Sequence, residues 1–308
     1  TEDDVEVISK VRGVKDYSKL VKFSRKFLPA IEKRCPQILD EMKGIRDGSS
    51  ASFEDLLVMQ CEEELLDFRI PHFYIKVGHH CTNIAMKTYD NKMLVGHNED
   101  WMPEYAKNGL AVIKGKLNGR RFISLNAIGG LVGTGPTLTS KKFAYIVNSM
   151  ELKKFRYQVP RFFQLAELME IKKPEEITKI LDFSKSSIGS NTLIAWANSR
   201  ILDLEELWRH CEKFKGNKWF IHTNHPLIKK YQSKKNTGKE SIRRYNTAYK
   251  ILANEKKLTI NTLKKILSDH KTEICGHPGS KLTWSVTIAS TIINATDGKA
   301  YAHIDRNW

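Results

Sequence analysis

His79-His80-Cys81-Thr82-Asn83-Ile84-Ala85-Met86-Lys87-Thr88-Tyr89, then Asp90-Asn91-Lys92, then Met93-Leu94-Val95-Gly96-His97-Asn98-Glu99-Asp100-Trp101, is the stretch on which the fold is read. The first run, from Cys81 to Tyr89, alternates in chemistry as a strand does, and Met93-Leu94-Val95 begins a return strand. Asp90-Asn91-Lys92 has the composition of a hairpin connector. Folding the chain about Asn91 brings together residues whose numbers sum to roughly 181 or 182, by antiparallel pairing. That register sets Cys81 opposite Asp100 or Trp101. A thiol, the Asn98 amide and the Asp100 carboxylate then meet at one end of a β-ribbon.

Upstream of the ribbon the pattern is helical. Leu20, Phe23, Phe27 and Ile31, then Ile38, Met42 and Ile45, recur at three- and four-residue steps between Tyr17 and Gly48. Pro36 divides this stretch and Gly48 ends it. Ser52-Phe53-Glu54-Asp55 predicts a capping box opening a helix that runs to about Leu66.

Downstream, strands are expected over 110–113, 122–126, 143–148, 191–196 and 218–221, and helices over 160–171, 174–181, 241–253 and 260–270. A closing hairpin, 283–293 with 299–304, turns at Asp297-Gly298. Gly129-Gly130-Leu131-Val132-Gly133-Thr134-Gly135-Pro136 matches no phosphate-binding spacing and reads as a loop that lets backbone approach a substrate. The alternation of strands and helices predicts an α+β protein with stacked sheets faced by helices.

Cys81-Thr82-x-Ile84-Ala85, a turn, then Gly96-His97-Asn98-Glu99-Asp100-Trp101 resembles the signature of the acyl-CoA:6-aminopenicillanate acyltransferase branch of the N-terminal nucleophile hydrolases. Bile-salt hydrolases, penicillin V acylases and acid ceramidase are more distantly similar. Phe27-Leu28-Pro29 through Ile45 resembles the family pro-segment. Ile221-His222-Thr223-Asn224-His225-Pro226-Leu227 and Ile274-Cys275-Gly276-His277-Pro278 resemble its later landmarks. The resemblance implies a four-layer αββα sandwich, with a helical pro-segment over 1–80 and a catalytic domain over 81–308.

It also implies a chemistry. A mid-chain cysteine becomes an N-terminal nucleophile only when the bond before it, His80–Cys81, is cut by its own sulfur. The freed α-amine, which titrates near pH 8 by reference values, then takes the thiol proton without help from a histidine. An acyl-enzyme on Cys81 passes its acyl group to water or to an amine. Carried over by resemblance, Asp100 holds the Cys81 α-amine and Asn191 donates to the oxyanion. Arg244 stands near the nucleophile, with Arg243 as the alternative register, and Asn98 shapes the strand end.

The chain departs from the family pattern in three places. His80 stands where relatives carry glycine. Thr139 stands where they carry asparagine, which leaves the second oxyanion donor to a backbone N–H. His97 replaces the arginine of the bile-salt branch.

Composition sets bounds on these readings. The chain has 308 residues, of which 41% are hydrophobic, enough for one large core or two modest ones. Its start, Thr1-Glu2-Asp3-Asp4, lacks signal-peptide features and no apolar run is long enough to cross a bilayer, so a cytoplasmic protein is expected. Five cysteines, at 35, 61, 81, 211 and 275, form no Cys-x-x-Cys pair, which argues against a disulfide framework or zinc ribbon.

The net charge of +16 is spread along the chain without a nucleic-acid motif, and no nucleic-acid partner is expected. The expected partners are an acyl amide or acyl thioester substrate and the two fragments of the cleaved chain, with an oligomer left open. No cofactor is expected unless acyl-CoA serves as substrate.

Two other classes stay open. A metallohydrolase would bind zinc through His79, His80, Cys81, His97 and Asp100, or through His222 with His225. A binding protein would retain the fold without the chemistry.

Overall fold

The computed structural model describes residues 17–67, 81–103, 105–106, 109–140, 142–150, 156–171, 176–181, 186–207, 210–232, 238–277 and 286–304. His79, His80 and Pro278 lie outside the described residues. The ribbon forms from β1 (Thr82–Lys87) and β2 (Met93–Trp101), paired antiparallel with Thr82 opposite Asn98 and Lys87 opposite Met93. Its paired residues therefore sum to 180, not to the expected 181 or 182.

The turn explains the difference. Thr88 N–H donates to Lys92 O at 2.8 Å, closing a three-residue loop over Tyr89, Asp90 and Asn91. Asn91 takes the left-handed conformation, with φ +62, that such loops place last. The ribbon is centred on Asp90, and its register extended by one pair sets Cys81 opposite Glu99 rather than Asp100 or Trp101. Slipping a register by one residue exchanges the faces presented across a ribbon.

Ten further strands complete two antiparallel sheets. They are β3 (Leu110–Leu117), β4 (Arg120–Ala127), β5 (Thr137–Thr139), β6 (Phe143–Ser149), β7 (Ser190–Trp196), β8 (Ile201–Leu207), β9 (His210–Gly216), β10 (Trp219–His222), β11 (Val286–Asn294) and β12 (Lys299–Ile304). The first sheet runs β10-β1-β2-β11-β12 and the second β3-β4-β5-β6-β7-β8-β9. Strand alternation sends Ala85, Met93, Val95 and Ile293 into the layer between the sheets, against Leu138, Ala144, Ile146 and Leu193.

The other face of the first sheet, with Ile84, Met86, Leu94 and Ile292, packs on helices 239–254 and 260–267. Gly96 lets the second of these approach, since an added Cβ would lie 3.1 Å from a Leu263 methyl. The other face of the second sheet, with Tyr145, Val147, Ile194, Leu202 and Leu204, is covered by helices 161–167 and 177–180. The architecture is the α+β, four-layer αββα sandwich expected.

The N-terminal helices are α1 (Tyr17–Ser24), α2 (Leu28–Arg34), α3 (Pro36–Asp47), α4 (Phe53–Gln60) and α5 (Glu62–Asp67), numbered in chain order. Helix 161–167 is then α6, 177–180 α7, 239–254 α8 and 260–267 α9. Pro36 opens α3, and Ser52 with Asp55 forms the reciprocal capping box of α4. Leu20, Phe27, Ile31, Met42 and Leu57 of this block pack with Val159, Phe163 and Ala166 beside α6. Strands β5, β8 and β9 were not expected from the sequence.

Candidate active site

Cys81 stands immediately before β1, 5% exposed, and lines a cleft of about 650 Å³ of empty space. The walls are largely apolar, formed by Trp101, Tyr105, Leu110, Leu125, Val147, Phe162 and Ile288. Thr134, Gly135 and Pro136 of the glycine-rich loop also line it. No side chain fits at Gly135, where a Cβ would lie 2.1 Å from Leu125 O. Opposite stand Glu62 and Glu63 of α5, Ser149 and Arg161. Arg161 Nη1 donates to Ser149 Oγ at 2.8 Å and pairs with Glu63.

On the inter-sheet face of the ribbon, Cys81 begins a continuous line of polar contacts. Its Sγ lies 3.6 Å from Glu99 Oε1, and Glu99 Oε2 lies 3.1 Å from His97 Nε2. His97 Nδ1 contacts Asn83 Oδ1 at 2.6 Å, and Asn83 Nδ2 donates to Asn191 Oδ1 at 3.1 Å. Asn191 Nδ2 then donates to Asp203 Oδ1 at 2.6 Å and Leu204 O at 3.1 Å. Asn191 thus lies between the sheets with its amide engaged by β8, and it is not among the cleft-lining residues. Thr139 is buried on β5 and is not a cleft residue either; its hydroxyl donates to Phe143 O at 3.4 Å.

The helical face of the same ribbon carries the even-numbered residues. Asp100 Oδ1 accepts from Thr287 Oγ1, while its Oδ2 is buried with no partner among the described residues. Arg244, fully buried on α8, donates from Nη1 to Cys81 O at 2.6 Å and to Thr82 Oγ1 at 3.0 Å. Its Nη2 donates to Asn224 Oδ1 at 2.9 Å. Arg243 instead points outward to a surface pair with Glu273, so the alternative register does not reach the nucleophile. Asn98 Nδ2 donates to Leu267 O at 2.9 Å and Ile274 O at 2.7 Å. It fastens the strand end to the loop after α9.

Burial dominates the electrostatics. It pushes the Cys81 thiol well above its ordinary value, helped by the Glu99 and Asp100 carboxylates, so the thiol is protonated here. Burial also raises Asp100 to about 7 against the opposing pull of Arg244. Arg244 is lowered by burial to about 10 and remains a cation at neutral pH. Burial drives Glu99 up, yet the hydrogen bond and charge of His97 outweigh it, and the carboxyl lies below its ordinary value. His225 is lowered to about 4, by burial first and then by the charges of His222 and Arg244, and so is neutral.

Among the described residues, two groups bring three metal-ligating atoms within 4.8 Å of one another: Cys81 with His97 and Glu99, and His270 with Cys275 and His277. Asp100 does not belong to the first group. His222 Nε2 is held by Glu205 Oε1 at 2.8 Å, and His225 Nδ1 by Ser241 Oγ at 2.8 Å, so the expected His222–His225 pair is not a shared ligand set. Glu99, Asn83, Asn224 and Thr287 were missed by the sequence reading. The signal for the first two was present: a three-residue loop register sets Cys81, Asn83, His97 and Glu99 on one face.

Comparison with known proteins bears on the family and the fold. The family model for acyl-coenzyme A:6-aminopenicillanic acid acyl-transferase matches residues 86–307, well over half of the chain. No curated protein sequence matches. Among solved structures, the N-acylethanolamine-hydrolyzing acid amidase ortholog of Caenorhabditis elegans superposes with a TM-score of 0.53 at 14% identity, covering 70% of this chain and 93% of its own. A mutant of the conjugated bile acid hydrolase of Clostridium perfringens gives 0.53 at 13% identity, covering 73% and 89%. At these identities the likeness is one of fold, and that fold is the N-terminal nucleophile hydrolase sandwich.

Proposed function

The chain belongs to the acyl-coenzyme A:6-aminopenicillanic acid acyl-transferase family, and on that premise we propose a cysteine enzyme that forms its own N-terminal nucleophile at Cys81. The observation that carries this reading is the setting of one thiol. Cys81 opens on a cleft, its carbonyl is clamped by Arg244, and on the other face of the ribbon Asp100 keeps a buried carboxylate oxygen without a partner among the described residues. An unpaired buried carboxylate oxygen is costly unless something charged arrives to meet it. The α-ammonium created by cutting the His80–Cys81 bond is such a group.

In this account the freed amine of Cys81 takes the thiol proton, and the thiolate attacks an amide or thioester carbonyl in the cleft. The acyl-enzyme then passes to water or to an amine. The apolar walls favour an apolar acyl group, with the leaving amine toward the buried polar side chains of Glu62, Glu63 and Arg161. Fatty acyl amides and acyl-CoA thioesters fit this description.

A panel of acyl p-nitroanilides of increasing chain length tests the proposal. Turnover should rise with chain length, and Cys81→Ala should remove it. An alanine variant with unchanged turnover overturns the nucleophile assignment. One observation favours a second reading, in which Cys81, His97 and Glu99 hold a metal ion. Loss of turnover on dialysis against a chelator, restored by zinc, would establish that reading instead.

A further inference from the structure

We propose that Glu99 is the general base for the cleavage of the chain itself, taking the Cys81 thiol proton before any α-amine exists. This rests on the reading of Cys81 as nucleophile. Before cleavage the nitrogen of Cys81 is a peptide nitrogen whose lone pair is delocalised into the carbonyl, and it cannot accept a proton. The first reaction therefore needs a base that the second does not.

Among the described residues, the geometry leaves one group in position. Glu99 Oε1 is 3.6 Å from Sγ, within reach of a sulfur hydrogen bond. Asp100 presents to the sulfur its backbone oxygen, at 3.8 Å, while its carboxyl bonds Thr287 on the helical face. Arg244 is a cation with no acceptor. His97, whose ring lies within 4.8 Å of the sulfur, turns Nε2 to Glu99 Oε2 at 3.1 Å and is a hydrogen-bond partner of the carboxylate rather than of the thiol.

The inter-sheet line also orients this base. Asn191 donates its amide protons to Asp203 and Leu204, so its oxygen faces Asn83 and accepts from Asn83 Nδ2. Asn83 must then turn its own oxygen to His97, which donates from Nδ1 at 2.6 Å. His97 Nε2 then meets Glu99 Oε2 at 3.1 Å, and Glu99 Oε1 is left facing the thiol. The direction of every bond is set from β8.

The step balances as follows. The thiol proton passes to Glu99 Oε1 while sulfur bonds the His80 carbonyl carbon, whose π pair moves to oxygen. The tetrahedral adduct collapses, the C–N bond to Cys81 breaks, and the leaving nitrogen takes the proton from Glu99. Water then hydrolyses the thioester, giving a carboxylate at residue 80 and a free thiol with a free amine at residue 81.

The test follows the full-length precursor by intact mass after purification in acid and transfer to neutral buffer. Glu99→Ala should slow cleavage by about 10²–10⁴, the usual worth of a positioned base. Added formate should restore it in a concentration-dependent way. Should the alanine variant fold poorly, the wild-type rate against pH decides.

Glu99 is faced by His97 on its own strand, Cys81 on the neighbouring chain segment, Asp100 beside it, and Arg161 with Glu63 from the helical side of the cleft. With the Glu99 carboxyl held below its ordinary value and Asp100 raised to about 7, the rate should be level above about pH 8, whereas attack by free thiolate would go on climbing about tenfold per unit toward the thiol value. A continued climb, or a Glu99→Ala precursor cleaving at the wild-type rate without response to formate, overturns the assignment. Wild-type protein that never cleaves removes the nucleophile reading along with it, and the two failures are thereby distinct.

Discussion

Replacing Arg244 by alanine removes a buried guanidinium that makes three hydrogen bonds, to Cys81 O, Thr82 Oγ1 and Asn224 Oδ1. Each charge-assisted bond is worth about 1.5–3 kcal/mol taken alone, but bonds from one group do not add. Breaking a buried charge arrangement by truncating one member costs about 3–5 kcal/mol. The lower part of that range applies, because Asp100 already titrates near 7 and will stay protonated rather than be left as a bare charge.

For 308 residues, an unfolding entropy of about 2.1 cal/mol/K per residue converts about 3–4 kcal/mol into a drop of about 5–6 °C in melting temperature. Arg243→Ala, which removes only a surface pair with Glu273, should move it by about 1 °C. Differential scanning calorimetry of both variants checks the contrast. Because Arg244 is what opposes burial at Asp100, the alanine variant should also process only at higher pH than wild type. Equal melting temperatures for the two variants, or an unmoved processing profile in Arg244→Ala, would refute the reasoning.

Asp100→Asn should impair both cleavage and turnover, by about a hundredfold or more if the carboxylate holds the α-amine, and wild-type rates for both would remove it from the site. Zinc added at micromolar levels should inhibit reversibly by engaging Cys81, His97 and Glu99, with EDTA restoring turnover; inhibition that persists in His97→Ala places the metal elsewhere. Glu64, Asp100 and Asp203 are each raised by burial to about 7, against about 4 in an unfolded chain. The folded state therefore holds protons that the unfolded state releases, and the stabilisation present below about pH 4 is lost as pH rises through 7. Denaturant titrations at pH 5 and pH 8 should show the lower stability at pH 8, and the reverse order would contradict this.

How far the sequence was legible depends on which face of each strand was apolar. Helices with an apolar stripe, such as α3 with Ile38 and Met42, and strands with buried aliphatic runs, such as β6 and β7, were readable from periodicity. Strand β8, Ile201-Leu202-Asp203-Leu204-Glu205-Glu206-Leu207, was not, because it buries three carboxylates that composition alone assigns to solvent. Those carboxylates are tolerated because Asn191, His222 and the Ser186 and Ser190 hydroxyls meet them from neighbouring segments.

At the site, Cys81, Asp100, Asn98 and Arg244 came from the ribbon and from family resemblance, and all four converge near the start of β1 or the end of β2. Glu99 escaped because the loop was centred one residue too far along, on Asn91 instead of Asp90. A register error that small exchanges the residue facing the sulfur.

The most direct test of the central claim is the intact mass of freshly made protein incubated at neutral pH, with Cys81→Ala alongside. The account predicts two species from the wild type, ending at His80 and beginning at Cys81, and one uncut chain from the alanine variant. A wild-type chain that stays whole yet turns over acyl amides, or an alanine variant cut at the same bond, would contradict it.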